Sequence, residues 1–494
     1  MRVLLVSTYE LGHQPLHLAS PAGALSRSGH EVRVLDLAVE SWSEEITKWP
    51  QAAAFSVPMH TAMRLATEAA RHLRESRPGL PVCFYGLYAA LGVDPEVRGA
   101  ADQFIAGEYE PALLSWVDRL ASASPVIAPP GLSSPAGELS RTPDADQRLG
   151  DRSSVYGPSV SPVTTELARR HFGPPSRSAL PALDRYARLL VNGEERLAGY
   201  VEASHGCAHR CRHCPVPVVY DGRTRLVDLD VVCDDVESLV AMGAEHVSFG
   251  DPDFLNGPHH ARRVVRAVHE RFPELTFDFT AKVEHILRHR SMLGEMASSG
   301  CLFVVSAFES TNDGILSILD KGHTVDEEVE AVGALREHGI EPRPSFVPFT
   351  PWTAVEDMVD LVDFVERNDL VWSVDPVQYS IRLLIPPGSL LLEGSVLDGR
   401  LGPFDAERLG YSWQAEDPAL DDLQVRLADI AGAAAAALEP ASATFESVRE
   451  AVLAAAGLRY EPRVHGGGLG RPRLSEPWFC CAEPMESQQA SCSR

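Results

Sequence analysis

Cys207, Cys211 and Cys214 stand in the run His205-Gly-Cys-Ala-His-Arg-Cys-Arg-His-Cys-Pro215. A CxxxCxxC loop can present three thiolates to three corners of a four-iron, four-sulfur cube, and it supplies no fourth. One iron is then left for a ligand that is not protein, which points to chemistry rather than scaffolding. The competing reading is zinc, because His205, His209 and His213 interleave the cysteines and could complete a tetrahedron. Zinc sites usually draw on two separated ligand pairs, and no second CxxC follows. The HxxxH pairs His13/His17 and His285/His289 are not at zinc-finger spacing from the cysteines.

Residues 197–204 read as the strand that delivers this loop, and further strand-like runs follow at 246–249, 275–279, 302–307, 344–347 and 377–384. Between them, Val232, Val236, Leu239 and Val240 share one helical face, as do Ala261, Val264, Val265 and Val268. Thr324-x-x-Glu327 and Thr353-x-x-Glu356 read as capping boxes that open two later helices. Repeated β-α alternation implies a parallel sheet covered by helices, with reactive groups gathered at the carboxyl ends of the strands.

The triad and the strand ends after it resemble the radical S-adenosylmethionine (SAM) superfamily, whose domain is a (β/α)6 partial TIM barrel. Gly250-Asp251 resembles the glycine-rich acidic motif that receives the methionine ammonium group. Residues 280–284, with Lys282 and Glu284, fall where the family places further contacts. Ala307-Phe-Glu-Ser310, followed by Asn312-Asp-Gly-Ile-Leu316 and Lys321-Gly322, looks like the family's ES signature. Glu309 and Ser310 are thereby candidates for ribose or carboxylate contacts. Singly these are weak signals, since a Gly-Asp is often only a turn, and their order carries the weight. Pro387-Gly388-Ser389 resembles the family's PGT turn, whereas residues 348–353 do not match its GxPGET turn. The resemblance implies a [4Fe-4S] cluster, bound SAM, an external electron donor of flavodoxin or ferredoxin type, and reductive cleavage of SAM to methionine and a 5'-deoxyadenosyl radical.

Residues 1–120 alternate apolar strands at 3–7, 32–37, 52–57 and 82–85 with helical stretches, one ending at Gly29. That is a doubly wound α/β domain, and composition alone allows a flavodoxin-like or response-regulator-like module. Phe84-Tyr-Gly86-Leu-Tyr-Ala and Asp102-Gln-Phe-Ile-Ala-Gly107-Glu108-Tyr-Glu110 resemble the cobalamin-binding domain that precedes many radical SAM domains. Gly86, Gly107 and Glu108 become cofactor-contact candidates on that basis. No Asp-x-His-x-x-Gly occurs, so no protein histidine is expected on cobalt, and a domain without its ligand is the alternative. His13, His17 and His60 read as loop or helix residues.

Residues 121–182 are rich in Pro, Ser, Gly and Ala and read as a linker to a barrel at 183–400. Residues 401–494 read as a small helical domain, with Leu420, Leu423, Leu427 and Ile430 on one face, ending in a cysteine tail. A 494-residue chain that is 45% hydrophobic has room for about three cored domains. It has no apolar run long enough to span a membrane and no secretion signal, and a cytoplasmic location is expected. A formal charge of -25 disfavours nucleic acid and anionic membranes as partners.

The tail Trp478-Phe-Cys480-Cys481-Ala-Glu-Pro484 carries adjacent cysteines, which bridge each other only with strain. Such a pair suits a thiol relay or capture of a thiophilic atom, and the plain alternative is idle tail cysteines. The run resembles the terminal motif of the CUAEP/CCAEP-tail radical enzymes, and Cys480 and Cys481 are catalytic candidates on that ground. The combined expectation is cobalamin-dependent methyl transfer to a small molecule or peptide. The alternatives are aminocarboxypropyl-type transfer to arsenic or another thiophilic element, and a corrinoid- or metalloid-binding accessory protein.

Overall fold

The computed structural model describes residues 1–123, 163–168, 171–466, 468 and 470–476. Val3, Leu4, Leu5 and Val6 are apolar at consecutive positions and fully buried, the pattern of a strand covered on both faces of a parallel sheet. Strands β1 (Arg2–Ser7), β2 (Glu31–Asp36), β3 (Ala52–Ser56), β4 (Val82–Tyr85), β5 (Gln103–Gly107) and β6 (Val163–Glu166) form that sheet in the order β2-β1-β3-β4-β5-β6. The chain steps outward from β1 to β2 and then returns to β3, and open α/β sheets bind ligands at the carboxyl edge of such a reversal. Part of the segment read as linker is therefore structural, because β6 comes from it and pairs in parallel with β5.

The second unit opens with a hairpin of β7 (Arg188–Val191) and β8 (Glu194–Val201). Its Asn192-Gly193 turn has positive φ at both residues, 51° and 81°, as a two-residue type I′ turn requires. A short antiparallel pair follows, β9 (Ser204–Gly206) with β10 (Thr224–Leu226). Strands β11 (His246–Phe249), β12 (Thr276–Thr280), β13 (Cys301–Glu309) and β14 (Glu341–Phe346) run parallel to β8 in the curled order β14-β13-β12-β11-β8-β7. Val247, Phe249, Phe277, Phe279, Val304 and Phe346 face the helices and join Val236, Leu239, Val264 and Val268 in one core.

The sixth strand expected at 377–384 is reduced to a 3-10 turn, Pro376–Ser380, and a single parallel bridge between Phe349 and Arg382. Pro376 has no N–H to give a ladder, and the Gln378 side chain substitutes, accepting the Phe346 N–H at 3.0 Å. The Thr324–Glu327 capping box is present. The one read at Thr353 is displaced: Asp357 accepts the Ala354 N–H at 2.7 Å, while the Thr353 hydroxyl donates to the Pro348 carbonyl at 2.9 Å.

Beyond the barrel, β15 (Leu401–Asp405) and β16 (Gly410–Trp413) form a hairpin ahead of the helices Ala419–Ala437 and Ala441–Ala455. Leu420, Leu423, Leu427, Phe445, Val448 and Val452 belong to the same core as the barrel helices, so this region extends the barrel instead of forming a core of its own. β17 (Arg473–Leu474) returns to pair antiparallel with β7. The tail cysteines Cys480 and Cys481 lie outside the described residues.

The two units meet along a buried polar seam. His17 Nδ1 lies 3.0 Å from Glu10, and His17 Nε2 lies 3.8 Å from Glu202. His205 Nδ1 lies 3.0 Å from Glu108, with its Nε2 3.3 Å from Glu202. Burial alone would lower both imidazoles, but the carboxylates outweigh it and lift His17 to about 9 and His205 to about 10. Arg177 adds a second tie. Its guanidinium reaches Asp235 at 2.6 and 2.8 Å, Gln14 at 2.9 Å and the Tyr200 carbonyl at 2.7 Å, all away from water.

Two outcomes follow from the seam. Arg177→Ala strands the Asp235 carboxylate in the interior and is expected to cost about 3–5 kcal/mol, read as a lowered urea midpoint. His17 has its pKa raised on folding, so its contribution is complete below its unfolded value of 6.5 and is lost as pH rises through about 9. Thermal melting of the wild type should therefore fall across that window, and His17→Gln should flatten the fall.

Candidate active site

The cysteine loop leaves β8 and is pinned at its root by Asp251, whose carboxylate accepts from Ala203 N–H at 2.9 Å and from the Ser204 hydroxyl at 2.5 Å. Gly206 then turns the chain at φ 73°, where a Cβ would stand 2.3 Å from the Arg223 carbonyl and 2.5 Å from the Tyr220 ring. No other residue could lead into Cys207 on this path. Pairing of β9 with β10 closes the excursion, which carries the short helix Val216–Tyr220 behind Cys214.

Cys207, Cys211 and Cys214 are not bridged to one another, and the first two are buried. Burial pushes Cys207 up to about 11, with Cys214 adding to the rise, and it also raises Cys211, where Lys321 and Lys282 pull the other way. Three thiols close enough to influence one another, two of them buried and with ammonium groups near Cys211, suit an iron-sulfur cluster, since metal coordination deprotonates a thiol that burial would keep neutral. The Asn256 amide nitrogen lies 3.5 Å from Cys207 Sγ, and Asn256 Oδ1 accepts the Ala208 N–H at 3.2 Å.

Glu309 ends β13 in the left-handed region, at φ 72°, opposite a slip in the β13–β14 register. That backbone state is costly for a residue with a Cβ, and it aims the carboxylate at Lys321 and His213, each at 3.1 Å. Burial opposes ionisation of Glu309, but Lys321 and His213 outweigh it and hold the carboxyl down at about 2. Ser310 is buried and accepts the Asn312 N–H at 3.2 Å, which fixes the turn into the helix Asp313–Leu319.

The remaining candidates divide. Lys282 donates to His209 Nδ1 at 3.1 Å and lies 3.7 Å from Glu284, which also pairs with Arg288. Gly250 is required because the Tyr200 ring occupies the place of a Cβ, at 2.0 Å. Asp251, completely buried, is lifted to about 7 by that burial, and its oxygens already hold the loop root, so its observed work is structural. Gly86 and Gly107 end β4 and β5 at φ 119° and 80°, each hard against neighbouring backbone. Glu108 accepts from His205 and from the Tyr220 hydroxyl at 3.0 Å, so the carboxylate read as a cofactor contact clamps the cysteine loop instead.

Sequence reasoning missed Asp253, His285 and Asn256. The first two join His209 in a group whose ligand atoms lie within 4.8 Å of one another, with His209 Nε2 and His285 Nε2 3.2 Å apart. Burial, then the charge of Lys282, hold His209 down at about 4. An ammonium at this point competes with any cation, so the group reads as a hydrogen-bond network behind the cysteine loop. No spacing rule joins residues on two loops and the helix Val283–Arg288, which is why no motif announced the group.

Among the described residues, no helix is long and apolar enough to cross a membrane. Residues 201–365 match the family model for the radical SAM superfamily. The chain is 22% identical over 349 residues to the hopanoid C-3 methylase of Methylococcus capsulatus, covering 69% of this chain and 62% of that one. It is 26% identical over 269 residues to the bacteriochlorophyllide d C-12(1)-methyltransferase of Chlorobaculum tepidum, covering 52% of this chain and 53% of that one. The chain thus spans less than two thirds of the length of these curated relatives. Among solved structures, the radical SAM methyltransferase TsrM from Kitasatospora setae, with cobalamin and a [4Fe-4S] cluster bound, aligns at a TM-score of 0.55 and 20% identity over 74% of this chain and 70% of that one. The cobalamin-dependent radical SAM enzyme OxsB, with aqua-cobalamin bound, aligns at 0.61 and 15% over 86% and 66%. A radical SAM domain at residues 201–365, within a fold shared with these cobalamin-dependent radical SAM enzymes, is what the chain contains.

Proposed function

We propose that the protein is a cobalamin-dependent radical SAM methyltransferase acting on a small molecule or peptide, fed by a flavodoxin- or ferredoxin-type donor. The observation that carries this reading is the cysteine triad, with Cys207 and Cys211 buried and Lys282 and Lys321 beside Cys211. When bound, the cluster and SAM supply a 5'-deoxyadenosyl radical and cobalamin supplies a methyl carrier. Cys207, Cys211 and Cys214 would hold three irons. Lys321 and Lys282 would offset the negative charge of the thiolates, and Glu309, fixed by Lys321 and His213, would meet the polar end of SAM. The barrel walls and the N-terminal domain exclude water from that site.

Cobalamin is assigned to the side where the N-terminal sheet meets the cysteine loop. A cleft of about 350 Å³ there is lined by Leu87, Tyr88, Leu91, Cys214, Val218 and Pro386. Its apolar walls suit a flat corrin face, and its volume falls short of a whole corrinoid, so binding requires Leu87–Val93 and the helix Val216–Tyr220 to draw apart.

A second reading, group transfer to a thiophilic element held by Cys480 and Cys481, is favoured by one observation. Glu476, which lines the gap inside the barrel sheet, hydrogen-bonds Tyr9 at 3.2 Å, and Cys480 stands four residues further on in the sequence. Products separate the two. Methyl transfer gives 5'-deoxyadenosine with S-adenosylhomocysteine, whereas aminocarboxypropyl transfer gives methylthioadenosine. A protein that yields none of these is an accessory binder.

Anaerobic reconstitution is expected to load one four-iron cluster, and replacing the three loop cysteines together by Ala should abolish its absorption and all SAM cleavage. Retention of four irons by that variant would remove the basis of the assignment. Separately, electron paramagnetic resonance of bound Co(II) cobalamin should show no splitting from a protein imidazole. Imidazole splitting, or failure to bind cobalamin, would count against the N-terminal domain as its carrier.

A further inference from the structure

The interior of the curled sheet holds a gap of about 430 Å³ bordered by Tyr200, Ser248, Asp278, Val305, Arg343 and Glu476. Most of its polar groups are committed. Asp278 accepts from His246 at 2.9 Å and from the Ser248 hydroxyl at 2.5 Å. Glu476 accepts from the Tyr9 hydroxyl, and burial lifts its carboxyl above the ordinary range, which favours the neutral form.

Arg343 is the exception. It is 6% exposed; its Nη2 pairs with Asp375 at 2.9 Å, and its Nη1 is buried with no acceptor among the described residues. Arg473, on β17, lies within electrostatic reach of the same Asp375 and Arg343. Arg473 is itself exposed and makes no close pair with Asp375, so the unused donor at the border of the gap is Arg343 Nη1. A buried, charged donor left unpaired is costly, so the arrangement favours an acceptor that arrives from outside.

We propose that this gap takes the carboxylate end of a small organic substrate, with Arg343 Nη1 as its charge-assisted donor and the segment from Arg473 to Glu476 closing the pocket beneath it. A carboxylate fits because a single free guanidinium edge matches one anionic oxygen, and the gap is narrow enough to admit an end group and not a ring system. The inference rests on the radical SAM reading, under which the substrate sits inside the barrel, and it narrows the substrate class to carboxylic acids.

The test is equilibrium dialysis of the full-length protein with labelled valerate and its neutral isostere valeramide. Valerate is expected to bind roughly tenfold or more tightly than valeramide. Arg343→Ala should erase the preference, Arg343→Lys should keep part of it, and Asp375→Asn, which frees Nη2, should strengthen it. The last two variants decide the matter if Arg343→Ala does not fold. Equal retention of acid and amide by the wild type, an undiminished preference in Arg343→Ala, no gain in Asp375→Asn, or tighter binding of ethyl phosphate than of valerate would each overturn the proposal. Iron content and 5'-deoxyadenosine formation are measured on the same wild-type preparation. Loss of those with the valerate preference intact would sink the cofactor reading alone, and the reverse would sink the pocket alone.

Discussion

Three thiols must ionise to hold iron, yet Cys207 and Cys211 are buried, and burial drives thiols upward, Cys207 to about 11. Much of the polar architecture around the barrel mouth answers that conflict. Lys321 and Lys282 bring positive charge to the Cys211 side, and Asn256 lends an amide to Cys207. The ammonium groups are in turn held in place, Lys321 by Glu309 and Lys282 by His209. The left-handed backbone at Glu309 fits the same logic, because a strained residue persists only where its surroundings over-determine it, and here Lys321 and His213 do so.

The N-terminal domain is tied to this loop chemically as well as by shape. Glu108 grips His205, two residues before Cys207, and Tyr220, at the end of the helix behind Cys214. One carboxylate from the first sheet therefore holds both ends of the cysteine segment. Its neighbours Glu10 and Glu202 keep the two imidazoles charged, and a seam built from paired ions resists sliding more than an apolar one would. Any movement that admits a large ligand between the domains has to respect that clamp, which leaves the opening to the Leu87–Val93 side.

The sequence was most legible where periodicity and covalent spacing carry the information. The CxxxCxxC loop, the strand at 246–249, the helix face Ala261-Val264-Val265-Val268 and the Thr324 cap all appear as read. Legibility failed where long-range partners decide. Residues 377–384 have the apolar content of a strand, but Pro376 and the Gln378 side chain turn them into something else. Asp251 and Glu108 sit at motif positions and spend their oxygens on the loop, while Asp253 carries no motif and His285, read only as half of an HxxxH pair, stands with it beside the loop. A carboxylate's sequence position gives its address, and only the fold gives its partner.

The central claim is that the loop leaves one iron open for the amino and carboxylate groups of SAM. Electron-nuclear double resonance on the reduced, reconstituted protein, with SAM labelled by ¹⁵N at the amino group and ¹⁷O at the carboxylate, tests it directly. Hyperfine coupling from both labels to one iron of the cluster is the expected result. An intact four-iron cluster showing coupling to neither label would contradict it.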